Sequence, residues 1–215
     1  MRDLQLVDYE LKKQPRQARS RATFGAILDA AARILVAEGY AGLTTNRIAE
    51  VAGVGIASVY EYFPGKEAVV AALAERELEG FVERVAGHLP TVVAKGGRDG
   101  LQHLFEVTVS EVAAQGALYR VLLREIPFVP TLPGVLRLQE RAFTYARAAS
   151  AAAQPAIRLP DFERDTWLIW QMTYNTLLEI GFGQHAEAER GALVDALVRL
   201  VARMLYPGNA EAPPG

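Results

Sequence analysis

The chain contains no cysteine, which excludes disulfide bridges, zinc–thiolate sites and thiol catalysis. It also lacks a strong charge of one sign. The 23 Lys and Arg stand against 25 Asp and Glu, a formal net charge of −2, so any attraction to a polyanion must come from a local patch. No stretch alternates polar and apolar residues for long enough to build a sheet. No run approaches the roughly 18 apolar residues needed to cross a bilayer. The N-terminus carries Arg2, Asp3, Asp8 and Glu10 without a continuous apolar run, unlike a signal peptide. The expectation is an all-α, soluble, cytoplasmic protein. With 215 residues, 51% of them apolar and 22% charged, there is material for a substantial core in a small domain joined to a larger one.

The stretch that organises the rest is Thr44 to Lys66, TTNRIAEVAGVGIASVYEYFPGK. Thr44 and Thr45 can cap a helix start with a side-chain oxygen, and Arg47 to Ala52 continues it with adequate helix formers. Gly53 stands where that helix should end in a left-handed residue, a conformation glycine adopts without steric cost. Ala49 is small where two helices must approach. Ile48, Ala52, Val54 and Val59 supply inward contacts for a second helix over about Gly55 to Tyr62. Pro64 stops it, and Lys66 lies at the start of the next. Two short helices joined by a glycine turn, the second held steeply with its outer face free, have the layout of a helix-turn-helix. Upstream, Phe24, Ile27, Leu28, Ala31, Leu35 and Val36 recur at helical spacing from about Ser20 to Glu38, and Gly39 ends the run. This first helix packs across the pair, with Tyr40 and Leu43 closing the seam. The three-helix unit is too small to stand alone.

The segment GLTTNRIAEVAGVGIASVYEYFPGKEAVV resembles the DNA-binding signature of the TetR family of transcriptional regulators, specifically over about Ala22 to Leu73. The resemblance implies that Asn46, Ile56, Ala57 and Ser58 face base edges in the major groove, while Thr45, Tyr60, Tyr62 and Lys66 hold phosphates. The side chains suit those places: hydroxyls and an ammonium fix register, Asn46 can pair bidentately with adenine, and Ile56 and Ala57 can touch a thymine methyl. Packing alone would also account for Tyr60 and Tyr62. Gly55 stands where relatives often carry a serine or similar cap, and polar readers are few, which gives shape readout and the basic arm a larger share of specificity. The resemblance further implies a homodimer on a double-stranded DNA operator, repression, and a small-molecule effector, with no cofactor, metal or enzymatic activity.

The expected division is a basic arm over 1–18, a helix-turn-helix domain over 19–66, a helical effector-binding and dimerisation domain over 67–206, and a flexible tail over 207–215. Lys12, Lys13, Arg16, Arg19 and Arg21 give the arm its charge, to reach a phosphate backbone or minor groove or to stay solvated. A longer helix from Lys66 or Glu67 to about Leu89, limited by Pro90, links the DNA-reading part to the rest. Further helices follow over Gly100 to Gln115, Ala117 to Ile126, Gly134 to Ala153, Asp161 to Gly181 and Glu187 to Tyr206, punctuated by Gly96-Gly97 and by Pro127, Pro130, Pro133, Pro155 and Pro160. The last two helices have wide apolar faces that suit a symmetric four-helix interface and would also fit a monomer core.

For the effector, His103, Phe105, Tyr119, Phe128, Phe143, Trp167, Trp170, Gln171, Tyr174 and Asn175 form a candidate pocket suited to a small hydrophobic or aromatic molecule. An aromatic stripe at helical spacing is equally the mark of ordinary core. Two other classes compete. One is a helix-turn-helix protein whose larger domain binds another protein. The other is a helical-bundle enzyme, but Asp161, Glu163 and Asp165, and His185 near Glu187 and Glu189, lack the Glu-x-x-His spacing of a bundle metal site. No phosphate-cradling glycine loop or serine elbow is present.

Overall fold

The computed structural model describes residues 9–152, 157, 159–183 and 185–206. The start of the arm, the end of the helix expected at Ala153, the connection at Pro155 and the tail over 207–215 lie outside the described residues. Among those described there are helices and turns but no strand. They gather into two compact units. One comprises the residues up to Glu79 with Ala117–Leu136; the other comprises Gly80–Gly116 and the residues from Arg137 onward.

In the first unit, α1 (Ala18–Gly42) opens where the Gln17 amide donates to Ser20 Oγ at 3.1 Å. It buries Ile27, Leu28, Ala31, Ile34 and Leu35 on one side. Its regular course ends at Gly39, whose φ of 67° only glycine takes without strain, and a short turn carries on to Gly42. Thr44 Oγ1 accepts from the Arg47 amide at 3.1 Å to start α2 (Thr45–Ala52). Gly53, left-handed at φ 67° and ψ 32°, closes it, and the Val54 amide returns to the Ala49 carbonyl at 3.0 Å. The second motif helix, α3 (Ile56–Tyr62), takes Gly55 as its N-cap residue and is followed at once by the fully buried Phe63. α4 (Lys66–Ala86) buries Val69, Val70, Leu73 and Ala74. Val121–Glu125, a single wide turn, packs on α1, and the buried Tyr119 donates its hydroxyl to the Glu77 carbonyl at 3.2 Å.

The second unit corrects one boundary. Pro90 does not simply end a helix; α4 stops at Ala86 and Pro90 sits in the first turn of a separate α5 (Leu89–Lys95), where its missing N–H is not needed. The glycine pair at 96–97 then compresses into a sharp turn with both φ values positive, so α6 (Gly97–Ala114) begins earlier than the loop signal suggests. α7 (Gly116–Arg120) lies almost wholly in the first unit, and α8 (Pro133–Ala152), which belongs to the second unit from Arg137 onward, precedes α9 (Phe162–Phe182) and α10 (Glu187–Leu205). α6 packs on α5, α9 and α10. The core there includes Phe105, Val109, Leu177, Ile180, Val194 and Val198.

Candidate functional site

The first unit presents α3 with one face sunk and the other free. Val59 and Phe63 are fully buried, and Phe24 stacks on Phe63 with centroids 5.0 Å apart. On the free face Ile56 is 39% and Tyr60 45% exposed, with Ala57 exposed and Ser58 half-buried between them. Asn46 on α2 is also exposed. Thr45 Oγ1 and Tyr60 Oη lie 3.1 Å apart, so α2 and α3 hold a paired hydroxyl edge at the rim of this surface. Arg47 is committed elsewhere: it bridges Glu38 at 3.0 Å and Glu50 at 2.9 Å, fastening α2 to α1.

Two residues of the expected phosphate set are covered to different degrees. Tyr62 is only 4% exposed and meets Phe24 edge-on at 5.7 Å, so it is a core residue and leaves the phosphate-facing set. Lys66 is half-buried with its ammonium 4.3 Å from the Tyr40 ring centroid. Burial and the adjacent Glu67 carboxylate, 3.1 Å from the hydroxyl, push the Tyr40 phenol well above its ordinary range, so it stays neutral. The arm folds onto α3: the Lys12 amide donates to the Tyr62 carbonyl at 2.9 Å, Lys12 Nζ to the Tyr60 carbonyl at 3.3 Å, and Lys13 pairs with Glu61 at 2.6 Å. That hydrogen bond and charge raise the Lys13 pKa, keeping it cationic beside the exposed face.

The second unit holds a cavity of about 380 Å³, in the range of small-molecule sites. Of the ten pocket candidates read from the sequence, Phe105, Trp170 and Tyr174 line it. The other seven lie elsewhere. Tyr119 and Phe128 belong to the first unit, the latter 5.0 Å from the Tyr9 ring. Phe143 lies behind Trp170, ring centroids 6.0 Å apart. Trp167, Gln171 and Asn175 are on the exposed side of α9, and His103 meets His88 at 3.2 Å between ring nitrogens. Among the described residues no group of three His, Cys, Asp or Glu could hold a metal ion. The sequence reading missed the small residues Ala142, Ala146 and Ala149 on α8, whose i, i+4, i+7 spacing marks one concave face. It also missed Thr166 and Tyr206, which supply polar atoms; burial raises the Tyr206 phenol pKa and keeps it a donor.

Residues 27–73 match the family profile of bacterial regulatory proteins, tetR family. No curated protein sequence matches the chain. Among solved structures, a tetR-family regulator from Mesorhizobium loti is 19% identical with a TM-score of 0.68, over 86% of this chain and 96% of that one. The fatty acid degradation regulator FadR from Bacillus halodurans is 18% identical with a TM-score of 0.64, over 93% and 98%. FadR from Bacillus subtilis, in complex with stearoyl-CoA, is 19% identical with a TM-score of 0.67, over 85% and 100%. At these identities the likeness is one of fold. No helix among the described residues is long and apolar enough to cross a membrane.

Proposed function

Since residues 27–73 make this chain a member of the tetR family of bacterial regulatory proteins, we propose that it is a homodimeric repressor released from its operator by a small hydrophobic effector. The single observation that carries the DNA half of this reading is the free face of α3, apolar and hydroxyl-bearing, flanked by Lys12 and Lys13. Ile56, Ala57 and Ser58 read the major groove together with Asn46. The Thr45–Tyr60 hydroxyl pair fixes register on phosphate. Lys66 adds a positive charge, its ammonium held over the Tyr40 ring.

The second copy is supported by apolar side chains left uncovered on α9 and α10. Leu168 and Met172 lie one turn apart on α9, and Leu200 and Met204 one turn apart on α10, all at least 41% exposed. A two-fold pairing of these helices places two α3 faces against successive major grooves about 34 Å apart. The effector occupies the cavity of the second unit and prefers a dimer geometry in which that spacing no longer fits, so DNA affinity falls by a shift of population.

The test is selection of genomic duplex fragments on the full chain, followed by fluorescence anisotropy of the best fragment against a random duplex at several salt concentrations. Specific binding that weakens when an apolar ligand is added supports the reading. Equal affinity for selected and random duplexes removes the operator. Unchanged DNA affinity with ligand demonstrably bound removes the effector mechanism.

A further inference from the structure

We propose that the cavity takes a neutral, largely aliphatic amphiphile about a dozen carbons long, whose terminal oxygen is hydrogen-bonded by Thr166. The proposal rests on the effector reading above and specifies its chemistry. Three observations converge on it.

The first is shape. On α9 the lining runs through Thr166, Ile169, Trp170, Thr173, Tyr174 and Leu177, one continuous face of the helix. Thr166 to Leu177 is eleven helical steps, about 16 Å at roughly 1.5 Å each. α6 provides a second wall of the same extent, from Gly97 to Thr108. A zigzag of about a dozen carbons with a terminal oxygen, advancing about 1.25 Å along its axis for each bond of about 1.5 Å, spans about 15 Å, close to that length. The second is polarity. Val82, Val85, Leu101, Leu104, Ile157 and Leu205 typify the surface, and no charged side chain occurs among the described lining residues. A carboxylate or ammonium placed against such walls would lose its hydration without a partner.

The third is an unmet hydrogen bond. Thr166 is 5% exposed and its Oγ1 has no hydrogen-bond partner. Several other helical threonines satisfy themselves on the carbonyl four residues back: Thr108 bonds Leu104 at 2.7 Å, Thr144 bonds Glu140 at 2.9 Å and Thr176 bonds Met172 at 2.7 Å. Thr166 does not, and it is the first lining residue of α9, at one end of the wall. A buried hydroxyl left open costs stability unless something completes it. A ligand oxygen at that end, with an alkyl body along the remaining length, does so.

The experiment is isothermal titration calorimetry of the full chain with 1-dodecanol, dodecanoate and dodecylammonium below their aggregation limits, repeated on Thr166→Val. Expected are tightest binding of 1-dodecanol to the wild type, a loss of about tenfold in the variant, and a higher melting temperature for the ligand-free variant because an unsatisfied hydroxyl is gone. A merely structural threonine would show the opposite thermal shift. Tighter binding of either ion, no binding of any of the three, or a variant that binds 1-dodecanol as well as the wild type overturns the proposal. If 1-dodecanol binds as expected but DNA affinity is unchanged, the effector reading fails while the ligand assignment holds.

Discussion

Tyr60 and Tyr62 are two residues apart and have opposite fates. On a helix two steps turn the side chain by about 200°, so the exposed ring of Tyr60 and the buried ring of Tyr62 face apart. Tyr60 therefore keeps its hydroxyl on the outer side, 3.1 Å from Thr45 Oγ1, and Tyr62 joins Phe24 and Phe63 in the core. At the same scale, Glu61 sets a negative charge beside the face proposed to read DNA and occupies Lys13. Glu61→Gln removes the charge and frees the lysine. DNA affinity should rise about two- to fivefold at low salt, and the dependence of log affinity on log salt should steepen by about one; a salt titration by anisotropy checks it, and unchanged or weaker binding would show that the pair faces away from the duplex. Asn46→Ala should instead reorder the preferred fragments, because an amide reads a base and a lysine reads a backbone. A selection that returns the same fragment ranking takes Asn46 off the base-reading set.

At the scale of elements, α9 carries its own start signal. Asp161 accepts from the Arg164 amide at 3.1 Å as N-cap, and its own amide donates to the Asp165 carboxylate at 3.0 Å. Asp161→Ala should cost about 1 kcal/mol in denaturant unfolding. The backbone hydrogen bond from Asp161, with Arg164 beside it, holds the Asp165 carboxyl below its usual range. A depressed folded pKa means that this contribution is present above the unfolded value of about 3.9 and is lost as pH falls through the lower folded value. Melting curves of wild type and Asp165→Asn should therefore converge as the pH is taken below about 3.9; parallel curves throughout would assign the carboxylate no role. Further along, α9 meets α6 at Gly181, where a Cβ would collide with the Val112 side chain. Gly181→Ala should destabilise by about 1–3 kcal/mol, and a variant as stable as the wild type would mean that the two helices can separate freely.

For the whole molecule, the decisive question is what covers the outer sides of α9 and α10. Leu200, 58% exposed, lies among the uncovered apolar residues there. Leu200→Glu should leave the helical content intact and shift the full chain to a monomer of about 23 kDa in light scattering, with loss of most operator affinity, since two half-sites must be engaged together. A wild-type protein already monomeric at micromolar concentration defeats the homodimer, and with it the spacing mechanism for release.

The local signals were readable in the chain because each acts within about one helical turn: Thr44 caps α2, Gly53 turns left-handed after it, and Val59 falls on the buried side of α3. Those few residues determined the helix-turn-helix, and helical periodicity without strand patterning determined the all-α class. Tertiary structure alone decided which side of each broad apolar stripe faces what. Trp170 and Tyr174 turn into the cavity while Trp167 and Met172 turn out, although all four sit on one helix with similar chemistry. Tyr119 and Phe128, reasonable pocket residues by type, return to the first unit with the segment Ala117–Leu136. The unpartnered Thr166 is likewise invisible in the linear chain. Its fate depends on which helices, distant in sequence, surround it, and periodicity fixes only the direction in which a side chain points, not what it meets there.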